Sequence, residues 1–171
     1  PAPARPKSGF ENNEKSAMPK LKHLQIENCV YFITFCTFKR EKIFLISEYA
    51  GMAMDSILFG REQGWFLLLA FVVMPDHVHL AIVPRDHDTP WLMRSLKTFT
   101  SRTINLRRGR KGKLWQEGYR DFVLDRREAI IQKINYIELN PVRAGIVEEA
   151  MDYPFSSARI RETLDWEYLG F

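Results

Sequence analysis

The order strand, helix, β-hairpin, helix, strand, helix predicts an α+β fold. Specifically, it predicts a split β-α-β (ferredoxin/RRM-like) sandwich with a mainly antiparallel sheet and helices packed on one face. Three observations predict it. Aromatic and β-branched runs of strand length recur at 30–38, 65–73 and 77–83. The last two meet at Met74-Pro75-Asp76, where proline suits a tight turn and not a strand interior. Stretches with helix start and stop signals lie before and after that hairpin.

The elements follow in chain order. Residues 1–18 (PAPARPKSGFENNEKSAM) are polar, proline-containing and without hydrophobic period, so a flexible tail or leader is expected, with Met18 a natural start and 19–171 a single domain. The strand VYFITFCTF from Val30 ends at Lys39-Arg40-Glu41-Lys42. Ser47 suits the cap of a helix reaching Gln63, with Gly64 as its stop. The hairpin strands are Trp65–Val73 and His77–Val83. A second helix runs from Pro90, proline in its first turn, to Leu106. The basic loop RRGRKGK covers Arg107–Lys113, a strand covers Trp115–Leu124, and a third helix covers Arg126–Asn140.

Charge is distributed unevenly. The whole chain has 25 Lys and Arg against 21 Asp and Glu, a net +4. Between Arg85 and Arg127 there are 12 basic and 5 acidic residues, 12 − 5 = +7, which marks that stretch as a phosphate-binding surface. Within RRGRKGK no acid offsets the cations. Cys29 and Cys36, seven positions apart on one strand, are separated by roughly 23 Å and do not make a disulfide. With no export signal the expected location is cytoplasmic, and the longest apolar run, Trp65–Met74, falls short of the ~20 residues of a membrane span.

Two constellations can carry chemistry. Alternation along His77-Val78-His79-Leu80 sends both imidazoles to one face, beside the carboxylate of Asp76, as a divalent metal requires; the same pattern also fits histidines held only by hydrogen bonds. A zinc site adding Cys29 and Cys36 competes, but that cysteine spacing matches no zinc clip. In the third helix, Ile130, Ile134 and Ile137 form a core stripe. Tyr136 lies roughly 120° from its centre and Asn140 about 40° from Tyr136, with Lys133 on the same side. A phenol, an amide and an ammonium can thus meet a phosphate together. Equally, Tyr136 can cover a sheet edge, and Asn140 before Pro141 reads as an N-cap.

Five motifs in order carry a resemblance. They are Tyr31-Phe32-Ile33-Thr34 before a basic stretch, Met74-Pro75-Asp76-His77-Val78-His79, Leu114-Trp115-Gln116, Tyr136-Ile137-Glu138-Leu139-Asn140-Pro141-Val142-Arg143-Ala144-Gly145, and Tyr153-Pro154-Phe155-Ser156-Ser157. Together, over about Val30–Arg159, they resemble the single-tyrosine HUH transposases, most closely the REP-associated tyrosine transposase branch. The resemblance implies metal-dependent cutting and rejoining of single-stranded DNA beside hairpin (REP-like) elements through a 5′-phosphotyrosine. It implies Tyr136 as nucleophile, His77, His79 and Asn140 as ligands of Mg²⁺ or Mn²⁺, and a monomer or homodimer as the acting species. Lys97, Arg102, Arg107, Arg108, Arg110, Lys111, Lys113, Arg120, Lys133 and Arg143 are then the expected phosphate contacts, with Trp115 and Tyr119 either stacking faces for unpaired bases or, equally, buried aromatics. A non-catalytic single-strand-binding module and a metal phosphodiesterase using water are the alternatives.

Overall fold

The computed structural model describes residues 29–170, so the tail expected at 1–18 lies outside the described residues. Strand β1 (Val30–Cys36) pairs antiparallel with β3 (His77–Pro84) on one side and with β4 (Arg120–Leu124) on the other, and β2 (Phe66–Met74) pairs antiparallel with β3. The resulting order β2-β3-β1-β4 is the split β-α-β arrangement expected. Its two crossovers are α1 (Ser47–Glu62) and α2 (Thr89–Arg108).

Alternation sorts the side chains into two cores. Tyr31, Ile33 and Phe35 of β1, with Val78, Leu80 and Ile82 of β3, pack under Ala50, Ala53 and Ile57 of α1 and Leu92, Met93, Leu96 and Ile104 of α2. On the opposite face Val30, Phe32, Val72, Ala81 and Val83 pack under Ile130, Ile134 and Ile137 of α3 (Arg127–Glu138). The expectation that helices occupy one face therefore holds for α1 and α2 and is corrected for α3. The reason is legible in β2. Its run FLLLAFVVM lacks polar alternation, so both of its faces need cover. A register shift between Leu68 and Ala70 sends Leu69 and Ala70 alike toward α3, whereas Leu68 and Phe71 face α1 and α2.

Several boundaries differ from expectation. Ser47 is the first residue of α1 and makes no capping bond; the ladder starts at the Ile46 carbonyl, which accepts from the Tyr49 and Ala50 amides. α2 is capped by Asp88, whose carboxylate accepts from the Trp91 amide at 2.7 Å, and it runs on through Arg107 and Arg108 until Gly109 takes a φ of 61°. The basic loop is thus two residues shorter than expected. The strand expected at 115–124 is only β4: Trp115 forms a single bridge with Thr37, and Gly118 at φ 71° breaks the extended path.

After α3 a single helical turn, α4 (Asn140–Arg143), leads into a C-terminal strap of 3-10 turns. The strap docks on the β2 edge. The Val73 amide donates to the Phe155 carbonyl at 2.9 Å, and the buried Tyr153 hydroxyl donates to the Val73 carbonyl at 2.8 Å. It also holds α3. Glu138, 1% exposed, accepts from the Ser157 hydroxyl at 3.0 Å and pairs with Arg161.

Candidate active site

The register between β1 and β3 builds the histidine pair. His79 lies opposite Thr34 and His77 opposite Cys36, all on the face that α3 covers. The His77 Nδ1 contacts Asp76 Oδ1 at 2.6 Å, and Asp76 Oδ2 in turn binds Arg40 Nε at 3.0 Å. The His79 Nδ1 lies 2.8 Å from the Thr34 hydroxyl. A carboxylate only accepts, so neutral His77 carries its proton on Nδ1 and directs the Nε2 lone pair outward. Thr34 offers His79 the same tautomer. The ring centroids stand 4.7 Å apart.

His79 is 6% exposed. Burial first, then electrostatic repulsion from His77, Lys133 and Arg40, pushes its pKa down to about 3. It is therefore neutral at physiological pH, the form in which an imidazole donates a lone pair to a metal.

Helix α3 brings Tyr136 onto this pair. Its ring meets His79 edge-on at 5.5 Å and Phe32 edge-on at 6.1 Å, while Phe32 itself stacks on His79 at 5.3 Å. Two cations flank the ring. Lys133 Nζ lies 5.0 Å from the Tyr136 centroid and 4.5 Å from that of Phe32, and the Arg143 guanidinium lies 5.2 Å from Tyr136. Asn140 is half-buried one turn after Tyr136. Its reading as an N-cap is corrected: α4 begins at Asn140 itself, preceded by Leu139, with no side-chain capping bond. The amide is not consumed by a cap.

These residues fit a divalent metal by their chemistry. Both imidazoles have Nδ1 engaged with oxygen and Nε2 remaining, and Asn140 adds an amide oxygen near the tyrosine in sequence. Among the described residues there is no group of three or more His, Cys, Asp or Glu side chains that could hold a metal ion. The competing zinc site fails on geometry. Cys29 precedes β1 at one end of the strand, whereas Cys36, facing His77 at the other end, accepts from Arg40 Nη1 at 2.8 Å.

The expected phosphate contacts divide into two groups. Arg107 pairs with Glu48, Arg108 with Glu41 at 2.8 Å, Arg110 with Glu41 at 3.8 Å, and Lys113 with Glu117 at 2.6 Å. The reading of RRGRKGK as uncompensated is thus corrected, because Glu41 and Glu48, far earlier in the chain, fold against it. Lys97 is corrected as well. Its ammonium donates to the carbonyls of Gln116 and Gly118 at 2.7 and 2.8 Å, fastening the loop, and burial lowers its pKa. Arg102, Lys111 and Arg120 are exposed and make no ion pair among the described residues. Lys133 and Arg143 flank the tyrosine as described.

Of the two aromatics expected to stack bases, Trp115 is enclosed and Tyr119 is partly covered. Trp115 is buried against Phe35 at 4.8 Å and donates its Nε1 hydrogen to Thr100 at 2.8 Å. Tyr119 is half-buried, its hydroxyl 3.3 Å from that of Thr89, and burial pushes its pKa up to about 12. Sequence reasoning gave Thr34, Phe32 and Arg40 no role in the site. The Tyr31–Thr34 motif contained two of them, but only the cross-strand register places them beside His79.

The model of the family described as "Transposase IS200 like" matches residues 25–140, which include both histidines, Tyr136 and Asn140. A putative REP-associated tyrosine transposase of Haemophilus influenzae is 27% identical over 139 residues, covering 75% of this chain and 78% of that protein. The REP-associated tyrosine transposase of Escherichia coli K12 is 24% identical over 156 residues, covering 87% and 91%. A solved REP-associated tyrosine transposase bound to a REP hairpin shares the fold, with a TM-score of 0.72 at 22% identity over 86% of this chain and 88% of that one.

Proposed function

The chain belongs to the IS200-like transposase family, and from that premise we propose that it cuts and rejoins single-stranded DNA beside hairpin elements, with Tyr136 as nucleophile. The observation that carries the reading is the packing of the Tyr136 ring on His79, beside His77 and between Lys133 and Arg143, on one face of one sheet. The phenol oxygen attacks phosphorus in line. A phosphorus–oxygen bond to Tyr136 forms as the bond to the 3′ oxygen breaks; the phenol loses its proton and the leaving 3′ oxygen gains one. The products are a 5′-phosphotyrosine and a free 3′-hydroxyl. Attack of a second 3′-hydroxyl on that adduct restores a phosphodiester with no net change in ester bonds, so rejoining needs no nucleotide cofactor.

Mg²⁺ or Mn²⁺, held by His77, His79 and Asn140, would supply charge withdrawal from the non-bridging phosphate oxygens. The chain's own residues do the rest. Asp76 and Thr34 fix the imidazole planes through Nδ1, and burial keeps His79 uncharged. Lys133 and Arg143 line the approach of a phosphate to the tyrosine. Tyrosine and histidines meet within one chain, which supports a monomer acting in cis. Hairpin DNA as substrate is supported by the similar fold solved on a REP hairpin. No described helix is long and apolar enough to cross a membrane, and a DNA substrate accords with a cytoplasmic location.

The test uses a library of synthetic hairpins with randomised single-stranded flanks, incubated with Mg²⁺ or Mn²⁺ and the wild type or Tyr136→Phe. Wild type is expected to retain the strand downstream of the cut through denaturation and to release the upstream strand with a 3′-hydroxyl; Tyr136→Phe is expected to form no adduct. An adduct that persists in Tyr136→Phe moves the nucleophile elsewhere, and cleavage without any adduct makes water the attacking group.

A further inference from the structure

The face that holds the histidines continues outward onto β4, and there it carries an exposed aromatic ring. Phe122 pairs with Phe32 across the β1–β4 ladder and is 59% exposed. Phe32 in turn stacks on His79. The three rings form a row across the sheet: Phe122 to Phe32 at 6.5 Å with 25° between planes, and Phe32 to His79 at 5.3 Å with 24°. Phe32 and His79 are buried at the inner end of the row, and Phe122 presents its outer surface to solvent. Two residues before Phe122, on the same face, Arg120 lies opposite Thr34, the partner of His79.

A single exposed phenylalanine is ordinary on a protein surface, and what marks Phe122 is its place at the open end of the ring row beside the site. Three features select its occupant. The ring is continuous with the row that ends at the Tyr136 site. Its surroundings are cationic, with Arg120 on the same strand and Lys133 over the neighbouring Phe32 ring, so the occupant is anionic as well as flat. The exposed surface is a single ring beside a long, flexible cation, and not the broad apolar patch that a second protein chain would need. A nucleobase with its backbone phosphate meets all three conditions.

We propose that Phe122 is a stacking platform for an unpaired nucleobase of the strand held at Tyr136, and that Arg120 binds that strand's backbone. The proposal rests on the DNA-cleavage reading above and adds to it a base-binding subsite. Stacking of this kind tolerates any base, so Phe122 contributes affinity and placement of the strand and leaves sequence choice to other groups.

The experiment separates base from backbone. The probes are an oligodeoxythymidine and an abasic oligodeoxyribose phosphate of equal length, bound to the full chain at low salt by wild type, Phe122→Leu, Phe122→Trp and Arg120→Ala. Wild type is expected to prefer the thymidine strand, and Phe122→Leu to weaken thymidine binding about tenfold while leaving abasic binding unchanged. Phe122→Trp is expected to keep the preference and to show additional fluorescence quenched by thymidine and not by the abasic strand. Arg120→Ala should weaken both ligands alike. If the ratio of the two affinities is the same in Phe122→Leu as in wild type, or the Phe122→Trp signal is not quenched, the platform is refuted. The hairpin-library assay runs in parallel on wild type: an adduct there with an unchanged ratio here refutes the platform alone, whereas absence of the adduct overturns the cleavage reading on which the proposal rests.

Discussion

Acid should destabilise this fold through one histidine. The His79 pKa falls from 6.5 in the unfolded chain to about 3 in the folded one, since an imidazolium there would be buried beside His77, Lys133 and Arg40. The folded pKa is depressed, so the unfolded state takes up a proton between pH 6.5 and about 3 that the folded state refuses. Stability is full above 6.5 and is lost as pH falls through that window. At ~1.36 kcal/mol per pH unit, lowering pH from 6.5 to 4.5 costs about 2.7 kcal/mol at this one group, a large fraction of a typical domain's stability. The assay is urea denaturation in a chelating buffer at pH 7 and pH 4.5, on wild type and on His79→Asn, which cannot protonate. Other titrating groups contribute to both proteins, so their effect cancels in the difference. Wild type should lose about 2 to 3 kcal/mol more than the variant over this interval. Equal losses would refute the placement of a neutral, buried His79.

Replacing both histidines, His77→Ala with His79→Ala, should abolish Mn²⁺ binding measured by calorimetry and DNA cleavage together; unchanged metal binding would remove the ion from this site. Asp76→Asn keeps the ligands but weakens the hold on the His77 tautomer, and metal affinity should fall about 10- to 100-fold, whereas an unaffected affinity would make Asp76 a partner of Arg40 only. Neutralising Lys111 or Arg120, both exposed and without an ion pair among the described residues, should reduce the magnitude of the log–log salt slope of single-strand binding by about 0.7 each, while Arg107→Ala, which already pairs with Glu48, should change it less; the reverse ranking would place the strand on the paired cations. Arg161→Ala leaves Glu138 buried with Ser157 as its remaining described partner, and a loss of roughly 1–3 kcal/mol is expected in thermal or urea unfolding, with no loss meaning that the strap does not hold α3.

What the sequence determined by itself are the features that depend on local spacing. A period of two put His77 and His79 on one face, a period of 3.6 put Lys133 and Tyr136 on one flank, and turn chemistry at Pro75-Asp76 closed the hairpin between β2 and β3. Family likeness was legible for the same reason, since its motifs are short and contiguous.

The tertiary structure decided everything that requires two distant segments to meet. No spacing in the chain says that Thr34 will sit opposite His79, because register is a property of a strand pair and not of either strand alone. The cations of RRGRKGK read as free until Glu41 and Glu48 fold against them, and Trp115 reads equally as a stacking face or a buried ring until Phe35 and Thr100 enclose it. The face taken by α3 was decided in the same way: α1 and α2 cover only one side of the sheet, and the apolar side chains left on the other draw the tyrosine helix over the histidines.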